Sequence, residues 1–512
     1  MSLISLQFLV FTAIAVAGYY LIPKRVQWQW LLAFSYIYYL SAGVKLVVFL
    51  LFSTITTYLA AGRMYTLGQG ETDKKQTRGR KRRVLVLTLF LNFGMLGVLK
   101  YTNFAIGNVN TLFHTDFQFM NLLLPLGISF YTFQSMGYLL DVYWGKCEPE
   151  KNPFKFALFV SFFPQILQGP ISRFSALSKE LFEEHVFDMQ RTQEALLRIL
   201  WGFFKKIVIA DNAAMFVDVI FGNYQTYSGM AILGVLGYTV QLYGDFSGGM
   251  DVVIGIASLF GIRLEENFKR PFFAVSITDF WHRWHITLGT WMKDYIFYPV
   301  SLSKWMGRFT KRAKKIFGKS IGRTLPICLA NIIVFLVVGI WHGAAWKFIA
   351  YGLYNGLIIA FSGLMAGNYR KWKKACHIRN DSRWFHVFQI LRTFLLVNIS
   401  WFFDRGSDLS QAFGMMKNAV TRFDVSPLFQ PGFLALADGK PQACLIFLGI
   451  VLAGCVLLFI VSLREECQVN VAAEVLKSPC VVRFGVVLVL LLSLPLLGAD
   501  PSMAGGFIYA QF

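Results

Sequence analysis

Two short runs carry the residue types best suited to chemistry. In Ser276-Ile-Thr-Asp-Phe-Trp-His-Arg-Trp-His285 and Gly339-Ile-Trp-His-Gly-Ala-Ala-Trp346, histidines stand inside stretches that otherwise read as lipid-embedded. A titratable ring at membrane depth costs free energy, so its presence points to chemistry or to a conduction path. Imidazole takes or gives a proton near neutral pH, as acyl transfer to a hydroxyl requires. His342 lies in the run 325–366, whose one fixed charge is Lys347. The bland alternative is a histidine bonded to a neighbouring helix carbonyl, but Trp341, Gly343 and Trp346 beside it have the character of a close-packed wall.

His282 and His285 are three residues apart, so a continuous helix would set them on nearly one face, shared with Asp279 and Lys293. Ser276 and Asp279 fit a capping box at its start. The competing reading is an interfacial helix with snorkelling polar residues. The spacing comes with no carboxylate or thiol partner motif, so no metal is expected. A third run, Tyr243-Gly-Asp-Phe-Ser-Gly-Gly-Met-Asp251, sets Asp245 and Asp251 among three glycines. Buried acids need positive or hydrogen-bonding partners, and the run reads first as a helix-breaking knot and second as a catalytic element. The markers of serine hydrolases, P-loop ATPases, zincins and dinucleotide enzymes do not occur.

The elements that must hold these residues are membrane helices. The chain has 512 residues, 56% hydrophobic and 17% aromatic, with 51 Phe against 28 acidic residues and a mean hydropathy of +0.52. That is not a soluble composition. Its net charge of +21 is gathered in short segments between apolar runs, the pattern of cytoplasmic loops beside anionic lipid rather than of nucleic-acid binding. The seven cysteines are scattered without a C-x-x-C, which gives neither a disulfide framework nor a zinc site.

A helical span needs roughly 20 apolar residues. Candidate spans fall at 3–22, 28–43, 44–62, 84–101, 119–143, 194–221, 229–249, 325–341, 344–366, 386–403, 443–463 and 482–497. The first reads as a retained span rather than a removed signal peptide. Residues 153–170 are apolar but short and broken by proline, as a re-entrant hairpin would be, and 264–300 lies partly inside the bundle. The basic segment 63–83 fixes a cytoplasmic side and puts the N-terminus outside. Residues 304–323, with eight Lys or Arg and no acid, read as an amphipathic helix on the cytoplasmic leaflet. A second basic stretch follows at 370–383. Residues 404–441 form the longest candidate external segment, and the C-terminus also falls outside. The expectation is a single all-α polytopic membrane domain over 1–512 with 11 to 13 membrane segments. The helix from Leu325 to Trp341 would reach ~25 Å against a ~30 Å hydrocarbon core, leaving His342 below the far interface or in a helix broken at Gly343.

Seven motifs in order support a more specific reading. They are Leu124-Pro-Leu-Gly-Ile-Ser-Phe-Tyr-Thr-Phe-Gln134, Gln168-Gly-Pro-Ile-Ser-Arg173, Asp245-Phe-Ser-Gly248, Glu266-Asn-Phe-Lys-Arg-Pro-Phe272, Trp284-His-Ile-Thr-Leu, Trp291-Met-Lys-Asp-Tyr295 and Trp341-His-Gly-Ala-Ala-Trp346. Together they resemble the membrane-bound O-acyltransferase (MBOAT) family, in its alginate O-acetylase (AlgI-like) branch. The match covers about 1–360, with 361–512 as C-terminal spans, and the terminal Phe507-Ile-Tyr-Ala-Gln-Phe512 is also similar.

The resemblance implies a ring of membrane helices, including re-entrant ones, around a thinned centre with a cytoplasmic funnel. It places the family's essential histidine on His342 and its second polar position on His285, with Asp245, Trp284, Trp341, Asp294, Gln168 and Arg173 as substrate-binding or supporting residues. His282 departs from the arginine more usual there and takes no catalytic role. A thioester donor, acetyl-CoA or an acyl-carrier protein, would approach the basic cytoplasmic side, and no cofactor would be tightly bound. The acyl group would move outward to a polysaccharide through an SGNH-type acyltransferase partner outside the cell membrane. Transfer of D-alanine to teichoic acid, or acetylation of peptidoglycan or cellulose, uses similar machinery. A proton-coupled transporter and a non-catalytic scaffold are the readings from other classes.

Overall fold

The computed structural model describes residues 1–69, 73–379, 382–430, 433, 441–499 and 507. Among these every regular element is helical, apart from one isolated antiparallel bridge between Phe268 and Trp284. The chain forms two compact units.

The first unit comprises Met1–Phe203, Gly249–Glu265 and, at the chain's end, Phe507. Its helices are α1 (Leu6–Leu21), α2 (Gln27–Leu40), α3 (Val44–Gln69), α4 (Lys74–Phe113), α5 (Ile128–Tyr143), α6 (Pro153–Ser161), α7 (Phe174–Phe182) and α8 (Met189–Phe203). The sidedness of α3 and α4 is that of lipid-facing helices. Val48, Ile55 and Leu59 of α3 and Val86, Phe90 and Val98 of α4 are exposed, whereas Ser53, Thr54, Thr57, Thr88 and Asn92 are buried. Asn92 Nδ2 donates to Thr56 Oγ1 at 3.1 Å, an interhelical bond of the kind that joins helices in lipid. Much of the basic stretch 63–83 is helical, because Lys and Arg are good helix formers. Asp73 caps α4 by accepting from the Lys75 and Gln76 amides.

The apolar run 153–170 is helical only in α6, and every residue from 156 to 172 is buried. Its broken backbone finds partners in neighbouring side chains: Gln134 Nε2 donates to the Phe159 carbonyl at 2.8 Å, and Ser35 Oγ accepts from the Phe163 amide at 3.1 Å. Irregular backbone at membrane depth is tolerated on that condition.

The second unit comprises Phe204–Gly248 and the described part of 266–505. A π-helical turn, Phe204–Ala210, interrupts the expected span 194–221. After it come α9 (Asp211–Gly222), α10 (Ala231–Leu259), α11 (Ile277–Arg283), α12 (Ile286–Met292), α13 (Tyr298–Ser301), α14 (Lys304–His342), α15 (Trp346–Ala375), α16 (Arg383–Arg405), α17 (Leu409–Thr421), α18 (Pro441–Glu466), α19 (Val471–Lys477) and α20 (Cys480–Leu497). The helix α10 leaves this unit at Gly248 and continues in the first. It runs unbroken through Gly244, Gly248 and Gly249, which corrects the helix-breaking reading. Gly244 serves close approach: a Cβ there would lie 2.9 Å from the Lys205 carbonyl oxygen.

Gly318, at φ 78°, bends α14 and separates its basic amphipathic start from its apolar remainder. Then α14 and α15 fold back on one another as an antiparallel hairpin. Seven described helices are long and apolar enough to cross a membrane: α3, α4, α14, α15, α16, α18 from Ile446, and α20. Of the other expected spans, 229–249 falls almost wholly in α10, which has 29 residues but is not among these seven, and the 14 residues of α2 reach only ~21 Å. The terminal motif beyond Phe507, and residues 431, 432 and 434–440 of the expected external segment, lie outside the described residues.

Candidate active site

The loop that carries His285 is built by non-local pairing. The Lys269 amide donates to the Arg283 carbonyl at 2.9 Å and the Ile286 amide to the Asn267 carbonyl at 3.1 Å, on either side of the Phe268–Trp284 bridge. Between these paired segments α11 is capped by Ser276, whose Oγ accepts from the Asp279 amide at 3.1 Å. Asp279 answers by accepting from the Val275 amide and from Arg283 Nε, each at 3.0 Å. The expected cap is therefore present.

The helix ends at Arg283, however, and His285 sits beyond it in the left-handed region at φ 47°, ψ 53°. His282 and His285 do not share a helical face: His282 is exposed and His285 is buried. The cause is the bridge to residues 267–269, which turns the chain before another helical turn can form.

Aromatic rings wall the loop. Trp284, 2% exposed, stacks on Phe280 at 5.5 Å and meets Trp401 and Phe268 at 5.5 and 5.0 Å. Arg283 and Arg270 both pair with Glu466 of α18, at 3.0 and 2.6 Å. These supports place Trp284 as a packing residue behind the histidine.

His342 is the last residue of α14, and the extended backbone of Gly343 ends the helix there, as the run length suggested. The crossing of α14 and α15 is close enough that a Cβ on Gly339 would lie 2.3 Å from the Phe348 carbonyl oxygen. His342 is 3% exposed, with its ring 5.2 Å from Tyr351 and 6.3 Å from Phe348. Trp346 is not part of that wall; it is exposed, and Phe348 and Tyr351 take its place. Trp341 touches both imidazoles, 5.6 Å from His285 and 5.1 Å from His342 by ring centroids. Phe246 closes the other side of His285 at 4.9 Å. Both histidine rings are thus enclosed by protein rather than turned to acyl chains.

His285 lies between two short helices, outside the seven candidate spans. Burial first, and the neighbouring His342 imidazole second, hold its pKa well below the ordinary histidine value, which favours the neutral ring. Its Nδ1 is 3.3 Å from Asn267 Oδ1. Asn267 is a site residue that inspection of the motif 266–272 did not single out. Its signal was its place 18 residues before His285, which acquires meaning only through the bridge.

The other expected residues are distributed. Asp245 is buried beside Asp211, and Lys206 Nζ donates to both, at 2.6 and 2.7 Å. Lys205 Nζ donates to Ser247 Oγ at 2.9 Å. The π-helical turn therefore presents two ammonium groups to polar positions of α10, and Asp245 acts as part of a buried ion cluster. Lys347 donates to the Asp404 and Gly406 carbonyls at 3.0 and 2.6 Å, capping the end of α16. Asp294 is half-buried in a π-helical turn, Lys293–Phe297. Gln168 and Arg173 belong to the first unit. The Gln168 carboxamide is fully buried, packs against the Gly249 backbone, and forms no hydrogen bond among the described residues. Arg173 is the N-cap of α7. Among the described residues no three His, Cys, Asp or Glu side chains gather as a metal site would require.

Comparison with known proteins gives the family of the chain. The sequence model of the MBOAT, membrane-bound O-acyltransferase family matches residues 150–313. A probable alginate O-acetylase AlgI of Pseudomonas aeruginosa is 33% identical over 79% of the chain and 72% of its own length. A peptidoglycan O-acetyltransferase of Helicobacter pylori is 33% identical over 76% and 73%. A teichoic acid D-alanyltransferase of Bacillus subtilis is 28% identical over 56% and 70%. The chain belongs to the membrane-bound O-acyltransferase family and is a multi-pass, all-helical O-acyltransferase.

Proposed function

We propose that the protein moves an acetyl group from a cytoplasmic thioester, acetyl-CoA or an acyl-carrier protein, across the cytoplasmic membrane for O-acetylation of an extracytoplasmic polysaccharide. The observation that carries this reading is the enclosed pair His285 and His342, both of which touch Trp341. His342 acts as general base on an attacking hydroxyl. The hydroxyl oxygen bonds to the thioester carbonyl carbon as its proton passes to the imidazole. The tetrahedral intermediate then collapses, the C–S bond breaks, and the thiolate leaves with that proton. A positioned base supplies ~10²–10⁴-fold of rate, and the aromatic enclosure strengthens the electrostatics by excluding water. His285 orients the reacting groups. The unsatisfied Gln168 carboxamide is kept for a bound group, since burying unpaired polar atoms costs about 1–3 kcal/mol. No cofactor is tightly bound.

The direction of transfer follows from the basic segments at 63–83 and 304–323, which the anionic cytoplasmic leaflet retains. An SGNH-type acyltransferase is the proposed partner outside, and alginate-like or other exopolysaccharide the acceptor. The Helicobacter and Bacillus relatives favour a second reading of the acceptor, peptidoglycan or teichoic acid, the latter with D-alanine as the acyl group. Protein reconstituted in vesicles and given labelled acetyl-CoA should form a labelled ester on added hydroxyl acceptor. Labelled solute that crosses the bilayer with no ester formed would identify a carrier instead.

A further inference from the structure

We propose that Asn267 is a positioning residue that holds His285 as its Nδ1–H tautomer, so that His285 meets the reacting groups with a lone pair at Nε2. The inference rests on the reading of His285 and His342 as the reacting pair.

The carboxamide of Asn267 is oriented by a group that has no choice. The backbone N–H of Thr287 can only donate, and it points at Asn267 Oδ1 at 3.0 Å. The Thr287 hydroxyl donates to the same oxygen at 3.0 Å. Turned the other way, the carboxamide would set its NH₂ against that backbone N–H, two donors face to face in a site where Asn267, Thr287 and His285 are each 2% exposed or less. The oxygen is therefore fixed as the acceptor. The nitrogen that lies 3.3 Å from it, His285 Nδ1, must then carry the hydrogen. A neutral imidazole has one N–H, and Nε2 is the acceptor nitrogen.

The backbone reinforces the same orientation. The Asn267 carbonyl accepts from the Ile286 amide, so the one residue grips the chain on both its main chain and its side chain immediately after His285. The left-handed bend at His285 and the edge-on contacts of Phe246 and Trp341 leave the ring little freedom to turn over. The consequence is chemical. A lone pair at Nε2 can accept a proton or a hydrogen bond from an attacking hydroxyl, and it cannot donate to an oxyanion. His285 orients the nucleophile or shares its proton, and stabilisation of the developing negative charge falls to other donors.

The tautomer is read directly by nitrogen NMR of the purified full-length protein labelled at its histidine ring nitrogens, with His285 assigned by the signal lost in His285→Gln. Wild type should show a protonated Nδ1 and a bare Nε2. Asn267→Leu should mix the tautomers and lower kcat roughly 10–100-fold, with KM for the thioester little changed. Asn267→Asp keeps the acceptor for Thr287 and so guards against misfolding. It should keep the tautomer and move the acid limb of the kcat profile up by about 1–3 pH units, because a carboxylate favours the imidazolium. An Nε2–H signal in wild type, or an unchanged tautomer and pH profile in both variants, overturns the proposal. Wild-type transfer by His285→Gln would instead overturn the functional reading, while the nitrogen spectrum still decides the tautomer on its own.

Discussion

Gly339 of α14 and Gly352 of α15 meet backbone to backbone: a Cβ on Gly352 would lie 2.2 Å from the Phe335 carbonyl oxygen and 3.2 Å from the Gly339 Cα. The crossing lies three residues before His342, so the hairpin that carries the proposed base is set by two absent side chains. Gly352→Val must force the helices apart. Overpacking of this kind costs about 1–3 kcal/mol, and a displaced His342 should lose acyl transfer in proportion. Melting in detergent and transfer rate should fall together; a variant that melts and turns over like wild type would contradict the packing.

His342→Ala should abolish ester formation while leaving membrane insertion intact, with a melting temperature lowered only by the lost packing of one ring on Tyr351 and Phe348 of α15. His282→Ala is the internal contrast. That ring is exposed on α11, and its loss should leave transfer close to wild type. Equal effects from the two variants would remove the assignment.

Lys206 is 2% exposed and bridges two buried aspartates. Lys206→Met leaves both carboxylates buried without their cation, at a cost of about 3–5 kcal/mol. Folded protein on size-exclusion chromatography should drop sharply. Adding Asp211→Asn and Asp245→Asn should recover much of it, because the uncompensated charge is then gone. A Lys206→Met protein that folds normally yet fails to turn over would give Asp245 a catalytic rather than structural role.

His185 lies in the linker between α7 and α8. Its Nδ1 is 2.9 Å from the Tyr19 hydroxyl, and its amide donates to Gln27 Oε1 at 2.9 Å. Burial first, and Arg191 second, lower its pKa below the ordinary 6.5. A depressed histidine pKa means the unfolded chain takes up the proton first. Above 6.5 the group has no effect on stability; as pH falls below it, stability is lost until the folded pKa is passed. The melting temperature should decline between neutral and mildly acidic pH, and His185→Gln should flatten that decline. An identical slope in the variant would place the sensitivity elsewhere.

Much of this was legible because it is local. The break after His342 follows from the length of the run from Leu325 and from Gly343. The cap at Ser276 follows from Asp279 three residues on, and the basic start of α14 from its composition. What was hidden depends on residues distant along the chain. The spacing of His282 and His285 suggests a shared face only if the helix continues, and pairing with residues 267–269 prevents that. The glycines near Asp245 look like breakers until the Lys205 carbonyl is seen against Gly244. Trp346 looks like a wall beside His342, yet it is exposed, and Tyr351, five residues further on, does that work.

The bend at His285 suits glycine better than any residue with a side chain, since a left-handed conformation costs an L-residue about 1–2 kcal/mol. His285→Gly would relieve that bend but empty the space between Phe246 and Trp341, at a cavity cost of about 2–5 kcal/mol. The variant should be easier to melt and unable to catalyse; the fold accepts a twisted backbone here in order to hold a ring.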